Sequence, residues 1–270
     1  MKNGFSIEDG IFTFNVGQIT VYMLVERQNP GNPGILAGAD AAVLNRYIPA
    51  EGFNHTCNTF LIRTGSQNVI IDTGFGGAIF DHMKLLGISP AEIDAVFITH
   101  LHGDHIGGLQ KDSKALFPNA KVYLSSREKE YFTVTNVNQG AADTLAVYDG
   151  RVKTFEPTPL GAPSSELIPG ISAIANYGHT PGHTVFLIEN NGARLIIAGD
   201  FLHIALVQFA EPDISATYDM DPKASAISRR ELLEKAARDK ILIGGIHILY
   251  PGIGSVETEG NGYRFIPAAF

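Results

Sequence analysis

The chain of 270 residues contains one cysteine, Cys57. No disulfide can close within it, and no thiolate cluster can hold a metal. Long apolar runs are missing too. No stretch approaches the roughly 18 apolar residues of a membrane-crossing helix. The opening MKNGFSIEDG pairs one Lys with Glu8 and Asp9 and has no apolar core of a secretory leader. A cytoplasmic protein without membrane attachment is the expectation. Basic charge is in short supply, with 20 Lys and Arg against 28 Asp and Glu, a net charge of −8. A nucleic-acid binder needs a basic stripe to displace counterions, and this balance argues against one; the expected partner is a small-molecule substrate. Charged residues are 18% and hydrophobic residues 44%, which excludes a disordered tail or a charged coiled coil. The length fits one large or two small domains, and a single domain over 1–270 is expected.

Short β-rich runs recur at Ile19–Val25, Thr59–Arg63, Val69–Asp72, Ala95–Thr99, Val122–Leu124, Ile171–Asn176, Thr184–Glu189, Arg194–Ala198 and Ile241–Ile243. Gly, Asn or Asp bounds most of them, and several are almost continuously apolar, as strands covered on both faces are. Helical patterns lie between them. Residues 79, 80, 83 and 86 are apolar within Ala78–Leu86. Ser89-Pro90-Ala91-Glu92 reads as an N-cap with a capping-box Glu, and Asp221-Pro222 opens a helix to about 239. Strands and helices alternate in both halves, which predicts an α/β layered domain. Two stretches, 26–56 and 136–170, read as long loops. Their apolar residues suit a pocket wall or a lid as well as plain docking on the fold, and 26–56 also suits an interface between two copies.

The distinctive feature is Thr99-His100-Leu101-His102-Gly103-Asp104-His105, directly after an apolar strand. On a strand end, His100 and His102 point the same way because side chains alternate with period two. The chain then turns at Gly103, where a glycine permits angles that a β-carbon penalises. Asp104 and His105 emerge beyond the turn. Two imidazoles side by side repel if protonated and lack partners if buried and neutral, unless a cation joins them. The arrangement can serve two adjacent ions. Further ligands come from strand ends elsewhere: His183 in Gly178-His179-Thr180-Pro181-Gly182-His183, Asp200 in IIAGD, and His247 in GGIHILYPG. His179 reads equally as part of a plain turn and is not counted. Five imidazoles and two carboxylates suit a first-row divalent metal such as Zn²⁺, Mn²⁺, Fe²⁺ or Co²⁺, with Zn²⁺ the default.

These motifs, His-x-His-x-Asp-His at 100–105, HTPGH ending in His183, AGD at Asp200 and His247 before Pro251-Gly252, resemble the metallo-β-lactamase superfamily of binuclear metallohydrolases. Asp72-Thr73-Gly74 also matches the Asp-x-Gly turn which that family places beneath its metals. The resemblance implies a four-layer αβ/βα sandwich of two mixed sheets flanked by helices. It implies His100, His102 and His183 on one metal, Asp104, His105 and His247 on the other, and Asp200 bridging. A narrower likeness, carried by GDFLHIALVQF at 199–209, the helix opened by Asp221-Pro222 and Tyr250-Pro251-Gly252, is to the methyl parathion hydrolase branch. That branch implies phosphotriester, ester or lactone hydrolysis. His203 stands where acyl-homoserine lactonases carry a carbonyl-polarising tyrosine.

Two divalent ions can share a water and lower its pKa to about 7, giving a hydroxide that attacks an ester, lactone or phosphotriester. Asp104, Asp200 and His203 are the candidates at the chemical step, with His203 contacting the substrate carbonyl or the leaving group. Asp72 is expected to fix the tautomer of a ligand His. Cys57 reads as a small buried apolar residue. Two alternatives stand: a thioester hydrolase of the glyoxalase II type, and a non-catalytic metal-binding protein of the same fold.

Overall fold

A computed structural model describes residues 9–163 and 165–269, so the N-terminal reading falls mainly outside the described residues. The fold has two seven-stranded sheets. The first runs in the order Ile11–Val16, Ile19–Pro30, Asn54–Arg63, Asn68–Ile71, Ala95–Phe97, Lys121–Ser125 and Val152–Phe155. Its first four strands are antiparallel and its last four parallel. The second runs Glu166–Ile168, Ile171–Ala175, Thr184–Asn190, Ala193–Ile197, Leu242–Gly244, Ile253–Glu259 and Gly262–Pro267. Its one parallel pair is Ala193–Ile197 with Leu242–Gly244.

Period-two alternation builds the layers. Phe60 and Ile62, Val69 and Ile71, and Phe97 of the first sheet meet Phe186, Ile188, Leu195 and Ile197 of the second in one buried cluster. The intervening Leu61, Ile70 and Val96 face the other way, against Ile79 and Met83 of the helix Ala78–Leu85. On the far side, Ile196 and Ile243 meet Leu232, Leu233 and Ala236 of the helix Pro222–Asp239. The four-layer sandwich follows, with these apolar clusters between its layers.

The helix opened by Asp221 is observed as Pro222–Asp239, with the Asp221 carboxylate accepting from the Ala224 N–H. Ser89 and Glu92 form the expected capping box, but it closes only a single 3₁₀ turn, Pro90–Glu92. The two stretches expected as long loops are more ordered than that. The strand from Ile19 continues to Pro30, and a helix spans Ala41–Tyr47, N-capped by Asp40. Residues 136–170 carry the helix Gln139–Ala146, capped by Asn138, and the edge strand Val152–Phe155. Gly, Pro and Asn in these stretches act as caps and turns between short elements, which composition alone does not separate from loop. Leu36, Ile204 and Val207 form a small separate core with residues of the 35–53 segment.

Candidate active site

The functional side chains collect at one edge of the sandwich. Asp72 follows the strand Asn68–Ile71, the 99–105 run follows Ala95–Phe97, Asp200 follows Ala193–Ile197, and His247 follows Leu242–Gly244. His179 precedes Thr184–Asn190, which is antiparallel to its neighbour and so starts at the same edge. The strand before the histidines stops at Phe97, and a short helix, Gly103–Ile106, begins where a turn was expected. Gly103 has no positive φ, and a Cβ added there meets nothing within 4 Å. Its backbone therefore does not require glycine. Even so, His100 Nε2 and His102 Nδ1 converge to 3.0 Å.

One group of ligand atoms comes from His100, His102, His179 and Asp200, and an adjoining group from Asp104, His105 and His247. In each, the atoms lie within 4.8 Å of one another. His179 Nε2 is 3.2 Å from His100 Nε2 and 3.0 Å from His102 Nδ1. Asp200 lies between the groups. Its Oδ1 is 3.1 Å from Nε2 of both His105 and His247, and its Oδ2 is 3.3 Å from His179 Nε2.

His183 departs from the expected ligand set. Its Nδ1 donates to the Asn176 carbonyl at 2.8 Å, and its Nε2 accepts from the Asp200 N–H at 3.0 Å. No lone pair is left for a metal, and His179 occupies the place given to it. His183 instead holds the Asp200 backbone. Gly199, at φ +54°, makes room for this, since a Cβ there would lie 2.5 Å from His183 Nε2. Five imidazoles and two carboxylates still converge, with one histidine exchanged.

The donor chemistry fits metal ions. Four rings have the nitrogen facing away from the centre occupied: His105 Nδ1 on Asp72 Oδ2 at 2.7 Å, His179 Nδ1 on Asp219 Oδ1 at 2.9 Å, His247 Nδ1 on the Thr56 carbonyl at 2.7 Å, and His100 Nδ1 by the Thr99 hydroxyl at 3.1 Å. Donation to these oxygens leaves the Nε2 lone pair pointing inward. His105 Nε2 and Asp200 Oδ1 are buried and, although 3.1 Å apart, make no well-aligned hydrogen bond among the described residues. Burial holds the pKa of His100 well below its ordinary value and that of His102 near 4. Burial also lowers His105, but Asp200, Asp104 and Asp72 outweigh it and raise that ring well above its ordinary value. For Asp200, burial is outweighed by His105, His247 and His100, and its carboxyl lies well below the usual range. The cluster thus gathers anionic carboxylates around lone pairs, an arrangement completed by cations.

Buried polar side chains from other elements fix each ligand-bearing segment. Asp72, at φ 55°, also accepts from the Thr99 N–H and hydroxyl, which meets the tautomer-fixing role expected of it. Glu128 accepts from Leu101 N–H, the Thr180 hydroxyl and Gly182 N–H, tying the His100–His102 run to the segment after His179. Asn58 donates to the carbonyls of Gly245 and Ile248 around His247. Gln208 accepts from the N–H groups of His203 and Ile204. Arg229, fully buried, donates to the Phe201 carbonyl and reaches Asp219 at 3.5 Å. Apart from Gln208, which lies four and five residues from its partners, these brackets have no local sequence signature, because they join segments apart along the chain. Cys57 is buried, and burial raises its thiol pKa well above the usual value.

A cavity of about 590 Å³ opens over the cluster, lined by His55, Phe75, Tyr218 and His203 among others. A second, of about 180 Å³ and mostly apolar, shares His203 and His247 with it. Among the described residues, no Lys or Arg lines either cavity. His203 is buried, its Nε2 lies 3.3 Å from Asp200 Oδ2, and its Nδ1 has no partner. No helix among the described residues is long and apolar enough to cross a membrane.

Residues 53–245 match the model of the metallo-beta-lactamase superfamily. Among curated relatives, YobT of Bacillus subtilis (strain 168) is 27% identical over 197 residues, 69% of this chain and 82% of its own length. A hydroxyacylglutathione hydrolase of Francisella tularensis subsp. novicida (strain U112) is 31% identical over 163 residues, 59% of this chain and 54% of its own. Among solved structures, the hydrolase AbOPH of the beta lactamase superfamily is 27% identical, with a TM-score of 0.84 over 97% of this chain and 98% of its own. The dizinc quorum-quenching lactonase AidC is 23% identical, with a TM-score of 0.87 over the same shares, a likeness that bears on the fold. With the family model matching well over half of its residues, the chain belongs to the metallo-β-lactamase superfamily of metal-dependent hydrolases.

Proposed function

We propose that the chain is a binuclear hydrolase of a small neutral ester, lactone or phosphotriester. His100, His102 and His179 would hold one divalent ion, Asp104, His105 and His247 the other, and Asp200 would bridge. Zinc is the proposed metal, and manganese, iron or cobalt meet the same donors. Ions held there would lower the pKa of a shared water to about 7 and supply hydroxide at neutral pH. The single observation that carries this reading is Asp200, buried between the two groups with one oxygen towards each.

The chain's own residues do the rest. Asp72, Asp219 and the Thr56 carbonyl orient three of the rings. Asp104, about a quarter exposed at its side chain, faces the cavity. His203 stands beside Asp200 with burial lowering its pKa, so that it is neutral near pH 7 and able to hydrogen-bond the substrate or carry a proton to the leaving group. The mostly apolar 180 Å³ cavity next to it suits an acyl or alkyl arm. The narrower likeness to the methyl parathion hydrolase branch, and the likeness in fold to the dizinc lactonase AidC, support the same substrate range.

A thioesterase reading draws on the hydroxyacylglutathione hydrolase relative. An anionic glutathione or carrier arm wants cations, and no Lys or Arg among the described residues lines either cavity, which favours the neutral substrate. The test is a panel of lactones, aryl esters, a phosphotriester, a thioester and a cephalosporin on purified protein of measured metal content. Turnover of lactone, aryl ester or phosphotriester with about two ions per chain is the expected result. Turnover of the thioester alone would overturn the substrate class, and fully active protein with one ion would overturn the binuclear site.

A further inference from the structure

Among the ionisable side chains on the cavity wall, His55, His203 and Tyr218 take no part in the two ligand groups. His55 lies near the start of the strand Asn54–Arg63, and the carbonyl of the next residue, Thr56, is the acceptor that orients His247. The His55 ring packs on the His247 ring with centroids 4.5 Å apart at 32°, while His203 packs on the same ring at 5.3 Å and 23°. Both rings line the 590 Å³ cavity. Each also has a buried nitrogen without a hydrogen-bond partner among the described residues, Nε2 of His55 and Nδ1 of His203. Buried polar atoms in native proteins are nearly always paired, and one left unpaired costs free energy. Those two atoms have almost no surface of their own in the cavity, but the His55 ring forms part of its wall beside His247, where a molecule that enters the cavity meets it.

We propose that His55 is a substrate-contacting residue that hydrogen-bonds the part of the substrate lying over the Asp104, His105 and His247 side of the site. The substrate would then carry a hydrogen-bonding group, a carbonyl, amide or hydroxyl, at that end. This rests on the hydrolase reading above and adds to it a residue and a requirement on the substrate. A phenylalanine at 55 keeps a ring against His247 and removes both nitrogens. A glutamine keeps a donor and an acceptor and removes the ring.

The experiment compares wild type, His55→Phe and His55→Gln, each at measured metal content, in two assays: kcat and KM on an aliphatic γ-lactone, and calorimetric affinity for the matching γ-lactam, which is bound but not turned over. The expected result is a loss of about tenfold in lactam affinity for His55→Phe. The same variant should lose at least as much in kcat/KM, with metal content unchanged and substantial recovery in His55→Gln. Three results overturn the proposal: equal lactam affinity in His55→Phe and wild type, which would assign the nitrogen to a resident water; loss of metal in His55→Phe, which would make the ring a support for His247; and no lactam binding by wild type. If wild type binds the lactam but turns over none of the ester, lactone and phosphotriester panel, the hydrolase reading fails, while the affinity comparison still decides the role of His55.

Discussion

Two histidines four positions apart, His179 and His183, sit in one turn and do different work. A ring becomes available to a metal when its other nitrogen is occupied by an oxygen and its lone pair faces inward. His179 meets that condition through Asp219, whereas His183 has both nitrogens engaged with backbone. His179→Ala is therefore expected to lose about one ion per chain on dialysis, measured by elemental analysis. His183→Ala should keep more metal and lose turnover through a displaced Asp200. The reverse order would reject this assignment. The His203 ring makes no hydrogen bond to backbone among the described residues, so its removal should spare the fold. For His203→Ala, a fall in kcat/KM of about 10²-fold or more at unchanged metal content is expected. Unchanged kinetics on a good substrate would remove it from the chemical step.

At the scale of elements, the site is a set of strand and turn ends stapled by buried polar groups. Arg229 on the helix Pro222–Asp239 is the clearest staple. It reaches Asp219 behind His179 and the Phe201 carbonyl next to Asp200. Arg229→Met leaves the Asp219 carboxylate buried with one cationic partner fewer. A loss of about 3–5 kcal/mol in urea unfolding is expected, together with weaker metal retention. Glu26 plays a comparable part away from the chemistry, accepting from the N–H groups of Gly77 and Ile79 at the start of the helix Ala78–Leu85. Burial raises its pKa above the ordinary 4.5 despite those bonds. The folded state thus holds this proton more tightly than the unfolded state. The contribution is fully present below the unfolded value and is lost as pH rises through the folded one. Relative to Glu26→Gln, wild type should lose stability as pH rises from about 4 to 7, and urea midpoints across that range would show a flat difference if the argument is wrong.

For the whole molecule, metal and fold are expected to act as one system, because the ligand-bearing segments come from both sheets and from turns far apart in the chain. An ion bound by the folded state alone stabilises it by about 2.7 kcal/mol at a free concentration one hundred times its Kd. Chelation should lower the Tm, and stepwise return of Zn²⁺ should raise it with metal concentration. A Tm indifferent to chelator would mean that the cluster is held open by protein contacts alone.

Much of this protein was legible along the chain. Alternating apolar strands, the Asp221 cap and the compressed 100–105 run depend on neighbours within a few residues, where side-chain period and capping chemistry act directly. The edge strands at 11–16, 152–155 and 262–267, and the strand 253–259 beside the last of them, were not legible, because partly exposed strands lack a continuous apolar run. The helices inside 26–56 and 136–170 were hidden by caps and turns that look like loop. The choice between His179 and His183 was decided only in three dimensions. Which nitrogen keeps its lone pair depends on Asp219 and Asn176, and Asp219 lies forty residues from His179. The same holds for His55, Glu128 and Arg229. Local sequence determines what an element is, while the partner of a buried polar atom is settled by where the chain returns.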